Sequence, residues 1–247
     1  MILHPVIQSL KKLRLNGFVE ALELQNNNLE IDKLRFEERL ALLVDHETCC
    51  RDNKKLQLRL RKAKFRDNGN LADLIYESSR KLDKRLVQSL ETCDWVVRHQ
   101  NIIITGATGT GKSYLGEALA HQACLRGFGV LRVQFPRILH QLRASKADGS
   151  YLKLQNNLAQ TDVLLMDDFG IVPLSEEQRQ DLFEIIDDRN KSKSTVITSQ
   201  LPIEQWHGAM GEGTMADAIL DRLVHSAHRI ALEGESMRKK QKKSQEN

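Results

Sequence analysis

Asn101-Ile-Ile-Ile-Thr-Gly-Ala-Thr-Gly-Thr-Gly-Lys-Ser113 is the stretch that decides the fold. A short β-branched run leads straight into Gly106, Ala107, Thr108, Gly109, Thr110, Gly111, Lys112 and Ser113, which fit G-x-x-x-x-G-K-[ST] at every position. Glycines allow a tight loop whose consecutive amides converge on phosphate oxygens. The helix expected from Tyr114 onward adds its positive N-terminal end. Lys112 would reach the β- and γ-phosphates and Ser113 would hold Mg²⁺. Strand, glycine loop and helix together predict an ATP site over residues 106–114.

Downstream, Val163-Leu-Leu-Met-Asp167-Asp168 is an apolar run ending in two carboxylates. Beside a phosphate loop, Asp167 would bind Mg²⁺ and Asp168 would polarise the attacking water. Thr195-Val-Ile-Thr-Ser-Gln200 is another run with polar residues at its end, so Ser199 or Gln200 would sense the γ-phosphate. With Val130 to Val133, four such runs alternate with helix-like segments. That pattern predicts an α/β fold with a parallel sheet.

Upstream the pattern is helical. Leu3, Val6, Ile7, Leu10 and Leu13 recur at helical spacing, Gly17 interrupts them, and Phe18, Val19 and Leu22 resume. After a polar break at Gln25 to Asn28, Phe36, Leu40, Leu43 and Val44 mark a helix leading into a basic segment. Asp67-Asn-Gly-Asn70 is a turn signal. The expected organisation is a basic helical domain at 1–66, a helical linker at 67–98, an ATPase domain at 99–240 and a basic disordered tail at 241–247.

The net charge of +4 over 247 residues conceals an uneven distribution. Residues 51–66 carry eight basic side chains and one acidic one, residues 157–190 carry nine acidic and two basic, and residues 238–247 carry five basic and one acidic. In the first of these, Leu56, Leu60 and Ala63 share a stripe while Arg59, Arg61, Lys62, Lys64 and Arg66 are left for a phosphate backbone. Arg137, Arg143, Lys146 and Lys153 are further candidates. Aromatics are only 5%, which disfavours base stacking on single strands and favours backbone contacts to duplex DNA.

No run of 18 apolar residues or secretory signal pattern occurs, so a cytoplasmic chain without a membrane span is expected. Four cysteines without paired spacing read as reduced thiols, with Cys49-Cys50 a buried pair. His225-x-x-His228 lacks further ligands at metal spacing. Trp95, just before the first strand, is expected to pack or to border the adenine.

GATGTGKS, LLMDDFG, TSQLP and ILDRLVHSAHRIALEGESMRKK, together with LRLNGFVEAL, FEERLALLVDHE and LRLRKAKF, occur in the order and spacing of the IstB family. The chain resembles that family from about residue 3 to 240. These are ATP-binding helper proteins of bacterial insertion sequences, related to the helicase loader DnaC and more distantly to the initiator DnaA.

The resemblance implies an AAA+ P-loop NTPase with a five-stranded parallel sheet and a small N-terminal all-helical domain. It implies a slow, Mg²⁺-dependent ATPase that oligomerises on duplex DNA, remodels or selects target DNA and recruits a cognate transposase, near the bacterial nucleoid. It makes Arg222 the arginine finger for a neighbouring subunit, Arg238 the sensor-2 arginine and Gln200 the sensor-1 residue.

This sequence departs from the family in having Asp168 for the usual Glu, Gln200 for Asn, and Ser236-Met237-Arg238 for Ser-Tyr-Arg. These touch turnover rather than ATP binding. The rival readings are a DnaC-like loader on single-stranded DNA, a small-molecule P-loop kinase, and a scaffold holding a locked nucleotide.

Overall fold

Ile102, Ile103 and Ile104 are fully buried on both faces of a parallel sheet, which explains why the first strand reads as a continuous apolar run rather than an alternating one. In the computed structural model five strands lie in the order β2-β3-β4-β1-β5: β1 (Asn101–Gly106), β2 (Val130–Gln134), β3 (Val163–Asp167), β4 (Ser194–Ser199) and β5 (Ala227–Leu232). Every pairing is parallel; β1 pairs with β4 through Ile103↔Ile197 and with β5 through Ile103↔Arg229. The structure describes residues 3–28, 31, 33–67, 69–211 and 213–237.

Four strands fall where the apolar runs predict. The fifth, edge strand comes from Ala-His-Arg-Ile-Ala-Leu, where only Ile230 and Leu232 are buried. Its single buried face leaves no run to read, and it was expected through the family resemblance alone.

Helix α6 (Lys112–Leu125) leaves the phosphate loop and covers one face of the sheet. Gly116 permits the approach: a Cβ there would lie 3.0 Å from Thr198 Cγ2 and 3.2 Å from Leu165 Cδ1. Opposite lie α7 (Phe135–Asp148), α8 (Tyr151–Gln160), α9 (Glu176–Arg189), α10 (Trp206–Met210) and α11 (Thr214–Val224), whose apolar residues join Ile103, Leu164, Met166 and Ile197 in one core. Ser175 and Gln178 form a capping box that starts α9. Arg189 ends it buried, donating to carbonyls of Leu158, Ala159, Thr161 and Ser194; burial pushes its pKa down to about 9.

The chain divides into two compact units, Met1–Leu58 and Arg59–Asn247. The first contains α1 (Leu3–Lys12), α2 (Asn16–Asn26) and most of α3 (Phe36–Ala63). Gly17 lies inside α2; the interruption falls instead at Arg14, whose φ of 59° is left-handed. Gly17 is needed for contact, since a Cβ would sit 2.8 Å from Cys50 Cβ on α3. No side chain of its own caps α2; Glu47 of α3 accepts from the Phe18 amide at 2.9 Å and from Arg51. That Arg51 bond holds the Glu47 carboxyl below the usual range.

Asp67 to Arg98 is less helical than the sequence pattern implies. Two 3₁₀ turns, Leu71–Asp73 and Ser78–Arg80, precede α4 (Lys84–Glu91) and α5 (Asp94–Val97). Cys49 and Cys50 are not a buried pair: Cys49 faces solvent and Cys50 is half-buried, because adjacent helical residues point about 100° apart. Cys93 and Cys124 are buried, and desolvation pushes each thiol up to about 11, so both stay protonated and inert. Among the described residues no helix is long and apolar enough to cross a membrane.

Candidate nucleotide site

The site sits where β1, β3 and β4 end. Gly106 (φ 150°) and Gly109 (φ 87°) make the phosphate loop possible in conformation and in space. A Cβ on Gly106 would lie 2.3 Å from Leu232 O, and one on Gly109 would lie 2.3 Å from Ser236 Oγ. Lys112 Nζ donates to Ala107 O at 2.8 Å, and Thr110 Oγ1 donates to the same carbonyl at 2.9 Å, so the loop folds around its own lysine. Thr108 Oγ1 donates to Gln200 Oε1 at 2.7 Å, bringing the end of β4 to the loop.

Ser113 Oγ donates to Asp167 Oδ1 at 2.8 Å, and Thr198 Oγ1 donates to the same oxygen. A hydroxyl and a carboxylate side by side at a helix N-terminus form a hard-oxygen donor set that fits Mg²⁺. Asp168 follows with a left-handed φ of 62°. Its Oδ2 accepts from Gln134 Nε2 at 3.2 Å, and its amide donates to Thr198 Oγ1 at 3.3 Å. The structure thus gathers Lys112, Ser113, Asp167, Asp168 and Gln200. Arg238 lies outside the described residues.

A cavity of about 320 Å³ opens beside the loop, lined by Leu74, Ile75, Gly111, Lys112, Tyr114 and Met237. Apolar and aromatic walls beside phosphate amides suit a purine base. Leu74 and Ile75 carry no signal in the sequence, because the segment around them is irregular. Trp95 is elsewhere: it is buried and donates through Nε1 to Leu90 O at 3.0 Å. Arg80, also unanticipated, is buried and ties Thr110 O of the loop to Ile75 O of the cavity wall.

Arg222 stands at the opposite end of the sheet, where its backbone carbonyl accepts from Asn101 Nδ2 at the start of β1. Its guanidinium donates to Asp187 Oδ1 at 2.8 Å and to Ala218 O, and lies 4.9 Å from the Phe183 ring centre. Among the described residues, none of these contacts of its guanidinium belongs to the phosphate loop.

Of the basic candidates, Arg61, Lys62, Lys64, Arg66, Arg137, Arg143 and Lys153 are exposed. Arg59 is half-buried, donating to Cys124 O at 3.0 Å, and Lys146 is paired with Glu177 and Asp181. Lys64 and Arg137 line one cleft of about 210 Å³ together with Arg132. His225 is exposed and His228 bonds Gln100, so the histidine pair forms no metal site; burial lowers the His228 pKa. The Glu20, His46 and Cys50 grouping belongs to the α2–α3 contact, where His46 Nδ1 bonds Gly17 O at 2.9 Å.

The model of the IstB-like ATP binding protein family matches residues 8–245. The chain belongs to that family. It is 43% identical to an insertion sequence ATP-binding protein of Sinorhizobium fredii, over 98% of this chain and 99% of that one. It is 42% identical to the ATP-binding protein of insertion sequence IS1162 from Pseudomonas fluorescens, over 82% of this chain and 88% of that one.

In fold it is similar to the DnaC helicase loader, at 18% identity and a TM-score of 0.57, covering 67% of this chain and 97% of that one. It is also similar to AMPPCP-bound DnaA from Aquifex aeolicus, at 20% identity and 0.58, covering 74% and 56%. At such identities the likeness shows the fold alone, a five-stranded parallel sheet with a phosphate loop after its first strand. Family and fold together make the chain an ATP-binding ATPase of an insertion-sequence family.

Proposed function

We propose that the chain is an ATP-controlled assembly factor for transposition, which oligomerises on duplex DNA and recruits a cognate transposase. The observation that carries this reading is the placement of Arg222 at the opposite end of the sheet from Lys112. An arginine finger so placed serves a second copy stacked head to tail, and such a heterologous contact propagates along DNA.

Within each site the loop amides and Lys112 hold the phosphates, and Tyr114 with Ile75 walls the base. Ser113 and Asp167 would hold Mg²⁺, which when bound neutralises phosphate charge. Asp168 orients the water and takes its proton, while Gln200 reports the γ-phosphate to β4. Arg222 of the next copy stabilises charge in the transition state. Hydrolysis then removes the γ-phosphate that the finger reads and loosens the assembly.

Exposed Arg61, Lys62, Lys64 and Arg66, with Arg137, Arg143 and Lys153, supply a phosphate-binding surface. Sedimentation with ATP, Mg²⁺ and either duplex or single-stranded DNA tests the reading. ATP-dependent oligomers on the duplex support it. Assembly on single strands alone moves the function to that of a loader, and a monomer under every condition overturns it.

A further inference from the structure

The Asp167 carboxylate is not shared by Ser113 and Thr198 alone. Its second oxygen, Oδ2, accepts from Arg132 Nη2 at 2.6 Å. Arg132, on β2, is ion-paired in turn with Glu117 of α6, its Nε 3.0 Å from Glu117 Oε1 without the N–H pointing at that oxygen. The side chains of Glu117, Arg132 and Asp167 retain only 3%, 13% and 5% of their exposure. Ser113 and Glu117 are four residues apart, so one face of α6 carries both the metal-side hydroxyl and the far carboxylate of this triad.

Glu117 has further partners. Its Oε2 accepts from the Asp67 amide at 2.8 Å and its Oε1 from the Arg66 amide at 3.3 Å. Those amides end the basic stretch 59–66. Burial pushes the Glu117 carboxyl upward, while these amides and Arg132 pull it back.

We propose that the Glu117–Arg132 pair is a positioning and charge-setting device for Asp167, through which the end of the basic segment adjusts the Mg²⁺ demand of the nucleotide site. The proposal rests on the reading that Asp167 serves ATP-bound Mg²⁺ and that residues 59–66 meet DNA. With all three groups ionised the triad carries a net −1. Neutralising Glu117 leaves Arg132 to Asp167 alone, so the triad becomes neutral and attracts a dication less. Neutralising Arg132 leaves two carboxylates and a net −2, which attracts it more. Buried charges at this separation interact through a low effective dielectric, so both shifts are measurable. DNA that pulls on residues 59–66 would loosen the amide bonds to Glu117, freeing its charge for Arg132 and weakening the grip of Arg132 on Asp167.

The test is equilibrium binding of a fluorescent ATP analogue to the full chain at rising Mg²⁺, without hydrolysis as a readout. Glu117→Gln removes the charge while its one oxygen still accepts from the Asp67 amide, with the Arg66 amide losing its acceptor, and is expected to raise the Mg²⁺ midpoint by about three- to tenfold. Arg132→Gln is expected to lower it by a similar factor, and the double variant, again at −1, to return it close to wild type. Shifts of the same sign in both single variants, or a double variant worse than either, overturn the charge-setting role.

Should Arg132→Gln fail to fold, Glu117→Gln and the double variant still decide between the two. A duplex is then expected to lower the wild-type midpoint and to leave that of Glu117→Gln unmoved. Equal duplex-induced shifts in both proteins overturn the coupling. A wild type without any Mg²⁺ dependence overturns the reading of Asp167 and the proposal together. Absence of duplex binding, read separately by anisotropy, overturns the DNA reading and the coupling but leaves the opposite shifts standing.

Discussion

The two ends of the sheet are built on opposite terms. At the carboxyl ends, backbone is bent into left-handed conformations at Gly109, Gly111 and Asp168, and polar side chains converge on one space. At the amino ends, Asn101 and Arg189 are buried with their polar atoms satisfied within the chain, and Arg222 rests on Asp187 and Phe183. One end is made to receive a ligand; at the other, among the described residues, Asn101, Arg189 and Arg222 all have partners within the chain. On the proposed reading, the receptor of one chain meets the Arg222 donor of another only when copies stack.

Perturbations at each end sharpen that contrast. The largest effect is expected at the donor end. Arg222→Ala should lose about a thousandfold in hydrolysis while ATP binding by an isolated chain is unchanged, read by turnover and by equilibrium binding. Mixing it with Lys112→Ala should restore part of the activity, since one copy supplies the loop and the other the finger. No recovery at any mixing ratio breaks the stacking picture.

At the receptor end, Lys112→Ala alone should weaken ATP binding about a hundredfold by removing a charged hydrogen-bond donor to phosphate. Asp168→Ala should keep ATP binding and lose about a hundredfold in turnover; equal turnover in variant and wild type removes Asp168 from the chemistry. The smallest effect belongs to the amino end. Burial depresses His228, so the folded chain binds its proton less readily than the unfolded chain does. Stability is therefore lost as pH falls through the ordinary histidine range and towards the lower folded value. Thermal unfolding near pH 7.5 and near pH 5.5 should show a slightly lower Tm in acid, and His228→Gln should flatten that dependence.

Much of this was legible in the residues because it is local. The phosphate loop is eight consecutive positions, and four of the five strands are signalled by short apolar or β-branched runs. What escaped depends on contacts across the chain or on missing periodicity. Leu74 and Ile75 lie in an irregular segment with nothing to mark them as a cavity wall. Glu117 and Arg132 meet across 15 positions and reach Asp167 across another 35, so no spacing rule announces them. Gly17 looked like a helix break and proved to be the point where α2 and α3 touch. The same chemistry, a glycine among apolar residues, has two meanings that only packing separates.

The left-handed backbone at Asp168 has a temporal consequence. Asp tolerates that conformation better than longer side chains do, but it carries the carboxylate one methylene closer to the backbone than Glu. Ease of folding and reach toward water are thus opposed at one position. If γ-phosphate loss ends an assembly, that position sets how long the assembly lasts. Asp168→Glu would shorten its lifetime at some cost to the turn, making this one residue a timer for how long a chosen stretch of DNA stays marked.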